Sequence, residues 1–100
     1  MSWTPPPEGT VSARELAGAR ETVAGALDRL GLAAYLFEVE PRPSGPWCLR
    51  IECAVGGDAE GAWERVEVPV PREALQDGAV GGGGRLEELL RRRLADCRRR

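Results

Sequence analysis

Residues able to do covalent or proton-transfer chemistry are few in this chain. They are three cysteines (Cys48, Cys53, Cys97), three serines (Ser2, Ser12, Ser44) and neighbouring carboxylates such as Glu38 with Glu40 and Glu64 with Glu67. Histidine, lysine and asparagine are absent. Without an imidazole no serine has its usual general base, and without lysine there is no amine nucleophile. Nothing around the carboxylate pairs would separate their pKa values into an acid and a base. All 14 cations are arginine. GC-rich coding accounts for that and for the missing lysine and asparagine, but not for the missing histidine. The inventory points to a non-catalytic protein with no cofactor.

An odd cysteine count without C-x-x-C spacing argues against both a disulfide framework and a zinc site, and so favours a reducing cytoplasm. Cys48 and Cys53 are five apart, so on one strand they face opposite sides and cannot bridge each other. Cys97 is expected to complete the apolar face of the last helix. The glycine run Gly81–Gly84 lacks the following Lys-Ser or Lys-Thr of a phosphate loop and reads as a linker.

Among the elements that must position these residues, the first helix is marked most clearly. Ser12 and Glu15 form an S-x-x-E capping box flanked by Val11 and Leu16 as a hydrophobic staple. Leu16, Ala19, Val23, Ala26, Leu27 and Leu30 recur at three- and four-residue steps, which makes one apolar stripe. Gly31 is placed as the left-handed cap, with Leu32 folding back on Leu27.

Three runs with period two follow. Tyr35, Phe37 and Val39 alternate with Leu36, Glu38 and Glu40. Trp47, Leu49, Ile51, Cys53 and Val55 alternate with Cys48, Arg50, Glu52 and Ala54. Val66, Val68 and Val70 oppose Trp63, Arg65 and Glu67. Each run has one polar side, the mark of an antiparallel sheet covered on one face. The short turn-rich connections, Pro41–Pro46 and Gly56–Gly61, predict a meander with the second strand central. That register sets Glu38, Arg50 and Glu67 side by side on the open face, and likewise Leu36, Glu52 and Arg65.

Pro71–Asp77 can make one or two helical turns, with Pro71 at the first position. A closing helix is expected from about Arg85 to Cys97, with Leu86, Leu89, Leu90, Leu94 and Cys97 on one side. Glu87–Arg91 and Glu88–Arg92 are spaced as i,i+4 pairs. The expected fold is therefore a two-layer α+β domain of α-β-β-β-α order: a three-stranded antiparallel meander with two helices packed on one face. Residues 1–10 read as an extended Pro-rich arm containing Trp3, residues 11–98 as one domain, and residues 99–100 as a tail.

A chain of 100 residues with 42% hydrophobic and 30% charged residues sits in the ordinary range for a single globular core. No apolar run is long enough for a membrane span, and the first ten residues lack the features of a signal peptide. Net charge is −2, but residues 85–100 carry seven arginines against three acids while residues 1–84 carry seven against thirteen. An acidic body with a basic end is not the continuous positive footprint of a nucleic-acid binder.

The element order resembles that of double-stranded-RNA-binding domains over residues 12–98, in layout and not in residue identity. Those domains meet phosphates with lysines at the start of the second helix. Here that stretch reads Gly84-Arg85-Leu86-Glu87-Glu88, so RNA binding is the alternative to the main expectation. That main expectation is a protein-binding module: an adaptor, a subunit, or an inhibitor of a larger assembly, such as a mobile-element anti-defence or anti-CRISPR protein. Candidate interaction residues are Leu36, Cys48, Arg50, Trp63 and Arg65 on the sheet, and Arg91, Arg92 and Arg93 on the last helix. A second copy of the chain is the other candidate partner, through a sheet edge or the small-residue ridge Gly18, Thr22 and Gly25.

Overall fold

The computed structural model describes residues 11–56, 61–76 and 82–100. The proline-rich arm with Trp3, the Asp77 end of the short helix and Gly81 lie outside the described residues. Helix α1 (Ala13–Leu30) begins where the sequence places its cap: Ser12 is extended and its Oγ accepts the Glu15 N–H at 3.0 Å. The Glu15 carboxylate, which a full capping box would send back to Ser12, is engaged by Arg72 instead. Gly31 closes the helix in the left-handed region at φ 70°, donating its N–H to the Asp28 carbonyl. A Cβ there is strained by conformation, although open space surrounds it.

Strands β1 (Tyr35–Glu40), β2 (Trp47–Ala54) and β3 (Trp63–Val70) form an antiparallel sheet in the order β1-β2-β3. β2 is central, as the short connections require. Its residues alternate strictly: Trp47, Leu49, Ile51 and Cys53 are buried, while the residues between them are only half-buried. The predicted rows form, with Glu38 beside Arg50 beside Glu67, and Leu36 beside Glu52 beside Arg65. Val39, Val68 and Val70 join the buried side. Against them lie Ala19, Val23, Ala26, Leu27 and Leu30 of α1, and Leu86, Leu90 and Leu94 from the last helical segment. Each fully buried Leu or Ile contributes roughly 1.5–3 kcal/mol of transfer free energy, which makes this single core the main source of stability.

Two boundaries differ from expectation. The single turn that forms after Pro71 is 3₁₀, η1 (Arg72–Leu75), with Pro71 at its cap rather than at its first position. Helix α2 runs Gly82–Arg93 rather than Arg85–Cys97. Its first turn is built from glycines that sequence reasoning assigns to a linker. The entropic cost of helical glycine, about 0.5–1 kcal/mol each, is offset by seating Leu86, Leu90 and Leu94 in the core.

At its far end the chain leaves helical geometry because another partner claims it. Cys97 is disulfide-bonded to Cys53, with Cα atoms 5.6 Å apart. This overturns the reading of Cys97 as part of a helical face and the argument against a disulfide. Cys53 points into the core from the end of β2, and 44 residues later the returning chain crosses that end. Cysteine count and spacing carry no signal for such a long-range crossing. The last residues enter the end of the sheet: Arg98 donates its N–H to the Ala54 carbonyl and accepts from Ala33, while Arg100 donates to Gly31. Arg99 bridges Leu32. Residues 99–100, expected as a tail, are thus held by main-chain pairing.

Closing a loop of this length with a disulfide stabilises the fold by about 4 kcal/mol in the chain-entropy account. Cys97→Ser is therefore expected to lower unfolding stability by about 2–5 kcal/mol in urea titration. Thiol labelling of the denatured, unreduced protein should find Cys48 alone. Labelling of all three cysteines would contradict the pairing.

Candidate functional site

The open face of the sheet gathers five of the eight candidate residues. Leu36, Cys48, Arg50, Trp63 and Arg65 all occupy positions on the side away from the helices, because strand alternation that buries one set must expose the other. Leu36 is 63% exposed and Trp63 47%, the two large apolar side chains most open to solvent among the described residues. Both stand at the same end of the sheet, Leu36 on β1 and Trp63 on β3, with Ala54 of β2 paired to Trp63. Two strand spacings, about 10 Å, separate their strands.

Toward the other end the face turns ionic. Arg50 is its hub, within 3.1 Å of Glu40, 3.5 Å of Glu67 and 3.9 Å of Glu38. The charge of Glu40 is the largest influence holding the Arg50 guanidinium above its ordinary pKa; burial, next in size, opposes it, and Cys48, Glu38 and Glu67 add smaller upward effects. Arg65 pairs with Glu52 at 3.3 Å, and Arg42, from the β1–β2 connection, reaches Glu40 at 3.3 Å. Across the three strands this face carries Glu38, Glu40, Glu52 and Glu67 against Arg50 and Arg65, and with Arg42 counted from the connection the acidic excess is one charge. Cys48, half-buried beside Glu40, is the free thiol.

Arg91, Arg92 and Arg93 are not brought to this face. Arg91 pairs with Glu87 at 3.4 Å and Arg92 with Glu88 at 2.8 Å, while Arg93 donates to the Glu67 main-chain carbonyl at 2.9 Å. The i,i+4 spacing anticipates the first two contacts, whereas the third depends on how α2 lies along β3. Glu87 also takes Arg29, which ties α1 to α2. Because α2 begins at Gly82, Glu87 and Glu88 stand in its second turn and its first turn has no acid.

Sequence reasoning missed a second cluster. Arg72 of η1 grips both carboxylate oxygens of Glu15 and lies 5.6 Å from the centre of the Trp47 ring. Trp47 is buried, and its indole N–H has no hydrogen-bond partner among the described residues. A guanidinium over the ring face favours the cation while the ring stays in the core. The carboxyl of Glu15 is held below its usual pKa, first by the hydrogen bond from Arg72 and then by its charge, with burial opposing. Only the approach of η1 to the start of α1 creates this group, 57 residues apart in the chain, so no local pattern announces it.

A shallow groove between η1 and α2 is lined by Pro71, Ala74, Leu86 and Leu89, with Glu73 and Glu88 balanced by Arg85 and Arg92. Among the described residues no three His, Cys, Asp or Glu side chains are grouped to hold a metal ion. No helix among them is long and apolar enough to cross a membrane. No protein-family model, no curated protein and no solved structure matches this chain.

The Glu15–Arg72 pair fixes a sign for pH dependence. A carboxyl depressed in the folded state contributes stability fully present above its unfolded value and lost as pH falls through the folded one. Stability should therefore decline below about pH 4, and Glu15→Gln should flatten that decline while lowering stability at neutral pH. Urea titrations at several pH values check this, and an unchanged acid slope in the variant would contradict it.

Proposed function

We propose that this chain is a non-catalytic protein-binding module whose open sheet face docks a basic surface of a partner protein. The observation that carries this reading is the grading of that face. Two exposed apolar anchors, Leu36 and Trp63, stand at one end, and an acidic charge lattice organised by Arg50 covers the rest. Exposed tryptophan ringed by polar groups is the composition that concentrates binding energy, while unbalanced charge steers the encounter and selects the partner's sign. A small acidic surface of this kind suits an inhibitor or subunit that covers a cation-rich, nucleic-acid-binding patch. The missing histidine and lysine support binding over turnover.

The RNA-binding alternative is less well supported. Its cations would come from α2, and there Arg91 and Arg92 already pair with Glu87 and Glu88. As to setting, the Cys53–Cys97 bond favours an oxidising compartment over the reducing cytoplasm that the cysteine spacing suggests.

The test is titration with a synthetic lysine- and leucine-rich peptide, with an acidic peptide of the same pattern as control. The basic peptide should bind, and more weakly as salt rises. Trp63→Ala should weaken binding roughly tenfold or more, with little change in melting temperature. The triple change of Arg91, Arg92 and Arg93 to alanine should leave affinity near that of the parent. No preference for the basic peptide, or equal loss in the triple variant, would reject the sheet face as the docking surface.

A further inference from the structure

The two edges of the sheet are unequal. In an antiparallel pair, residues that exchange hydrogen bonds alternate with residues whose main-chain groups point away from the partner. The bond from the Ala54 N–H to the Ala34 carbonyl is in phase with the β1–β2 register, so Leu36, Glu38 and Glu40 bond to β2. Tyr35, Phe37 and Val39 therefore direct their N–H and C=O groups outward. By the same logic the bond from Val55 to Ala62 turns Trp63, Arg65, Glu67 and Pro69 outward on β3.

The β3 edge is blunted at two of those positions. Pro69 has no N–H to offer, and the Glu67 carbonyl is taken by Arg93. The β1 edge has neither device: among the described residues nothing hydrogen bonds the outward groups of Tyr35, Phe37 and Val39. Beneath that edge the Tyr35 and Phe37 rings, 6.3 Å apart, are only half-buried.

We infer that β1 is a dimerisation edge, and that its occupant is β1 of a second copy running antiparallel. With β3 blunted at Glu67 and Pro69, head-to-tail growth is left only the outward groups of Trp63 and Arg65, too short a stretch to match β1, so same-edge pairing about a two-fold axis is the favoured mode, and it closes. A two-fold at Phe37 sets Phe37 opposite itself and Tyr35 opposite Val39, joining the half-buried rings of both copies under a six-stranded sheet. On the open face it sets Leu36 opposite Glu38, so no glutamate directly faces another. A slip of one residue would exchange the two faces; a slip of two would confront Glu38 with itself in one direction and set Leu36 opposite itself in the other, where Leu36→Glu again brings like charges together. This inference uses an edge rather than the face that docks a basic partner, and its test needs only the purified chain.

The experiment combines sedimentation over a concentration series with residue-resolved amide exchange. The mass should rise from 10.8 kDa toward twice that value. Amides of Tyr35, Phe37 and Val39 should gain protection in step with it, while those of Leu36, Glu38 and Glu40 stay protected at every concentration. Leu36→Glu places like charges opposite each other at both symmetric sites and should weaken the dimer about tenfold. Tyr35→Pro removes one outward N–H without touching a bond to β2, and should also weaken it. A mass fixed at the monomer value overturns the inference. So does a dimer whose outward amides stay unprotected, protection of those amides in a monomer, or undiminished dimerisation of both variants.

Discussion

One constraint organises the molecule: β2 must be apolar on one side and polar on the other along its whole length. Trp47, Leu49, Ile51 and Cys53 are each nearly or fully inaccessible, and Cys48, Arg50, Glu52 and Ala54 stand between them. A central strand of this kind admits covering helices on one side only, because burying Arg50 and Glu52 as well would cost more than their ion pairs with neighbouring strands return. The helices must share that side, and the opposite face is left open. The acidic face with its apolar end follows from it, whereas the unequal edges come from Pro69 and from Arg93 on the Glu67 carbonyl.

The closure at the carboxy-terminal end answers a problem that the one-sided sheet creates. Where β2 ends, Cys53 still points into the core, and the residues between α1 and β1 still have main-chain groups to satisfy. The returning segment supplies both, a sulfur for Cys53 and main-chain partners for Gly31, Ala33 and Ala54. The arginines at residues 98–100 thereby hold the fold through their backbone, and Arg100 also approaches Asp28 at 3.9 Å. A run of cations that looks like a ligand grip is, at the level of its main chain, part of the architecture.

What was legible in the sequence is what local periodicity encodes. The Ser12 cap, the Gly31 stop, the α1 stripe, all three strands and their register follow from spacing alone, since one residue of slip would exchange buried and exposed sets. Less legible was everything decided by distant chain segments: the Cys53–Cys97 bond, the early start of α2 in glycines, and Arg72 turning Glu15 away from its capping role. The open-face residues Leu36, Cys48, Arg50, Trp63 and Arg65 were readable because they are the out-of-phase positions of strands. The separation of Arg91, Arg92 and Arg93 from them was not, since alignment of α2 along β3 decides where those side chains end.

The central claim is that the out-of-phase face of the sheet is the docking surface, and amide chemical-shift mapping during titration with a basic amphipathic peptide tests it most directly. The account predicts perturbations centred on Leu36, Arg50, Glu52, Trp63 and Arg65, with the exposed side of α1 unmoved. Perturbations confined to α2, or none at saturating peptide, would contradict it.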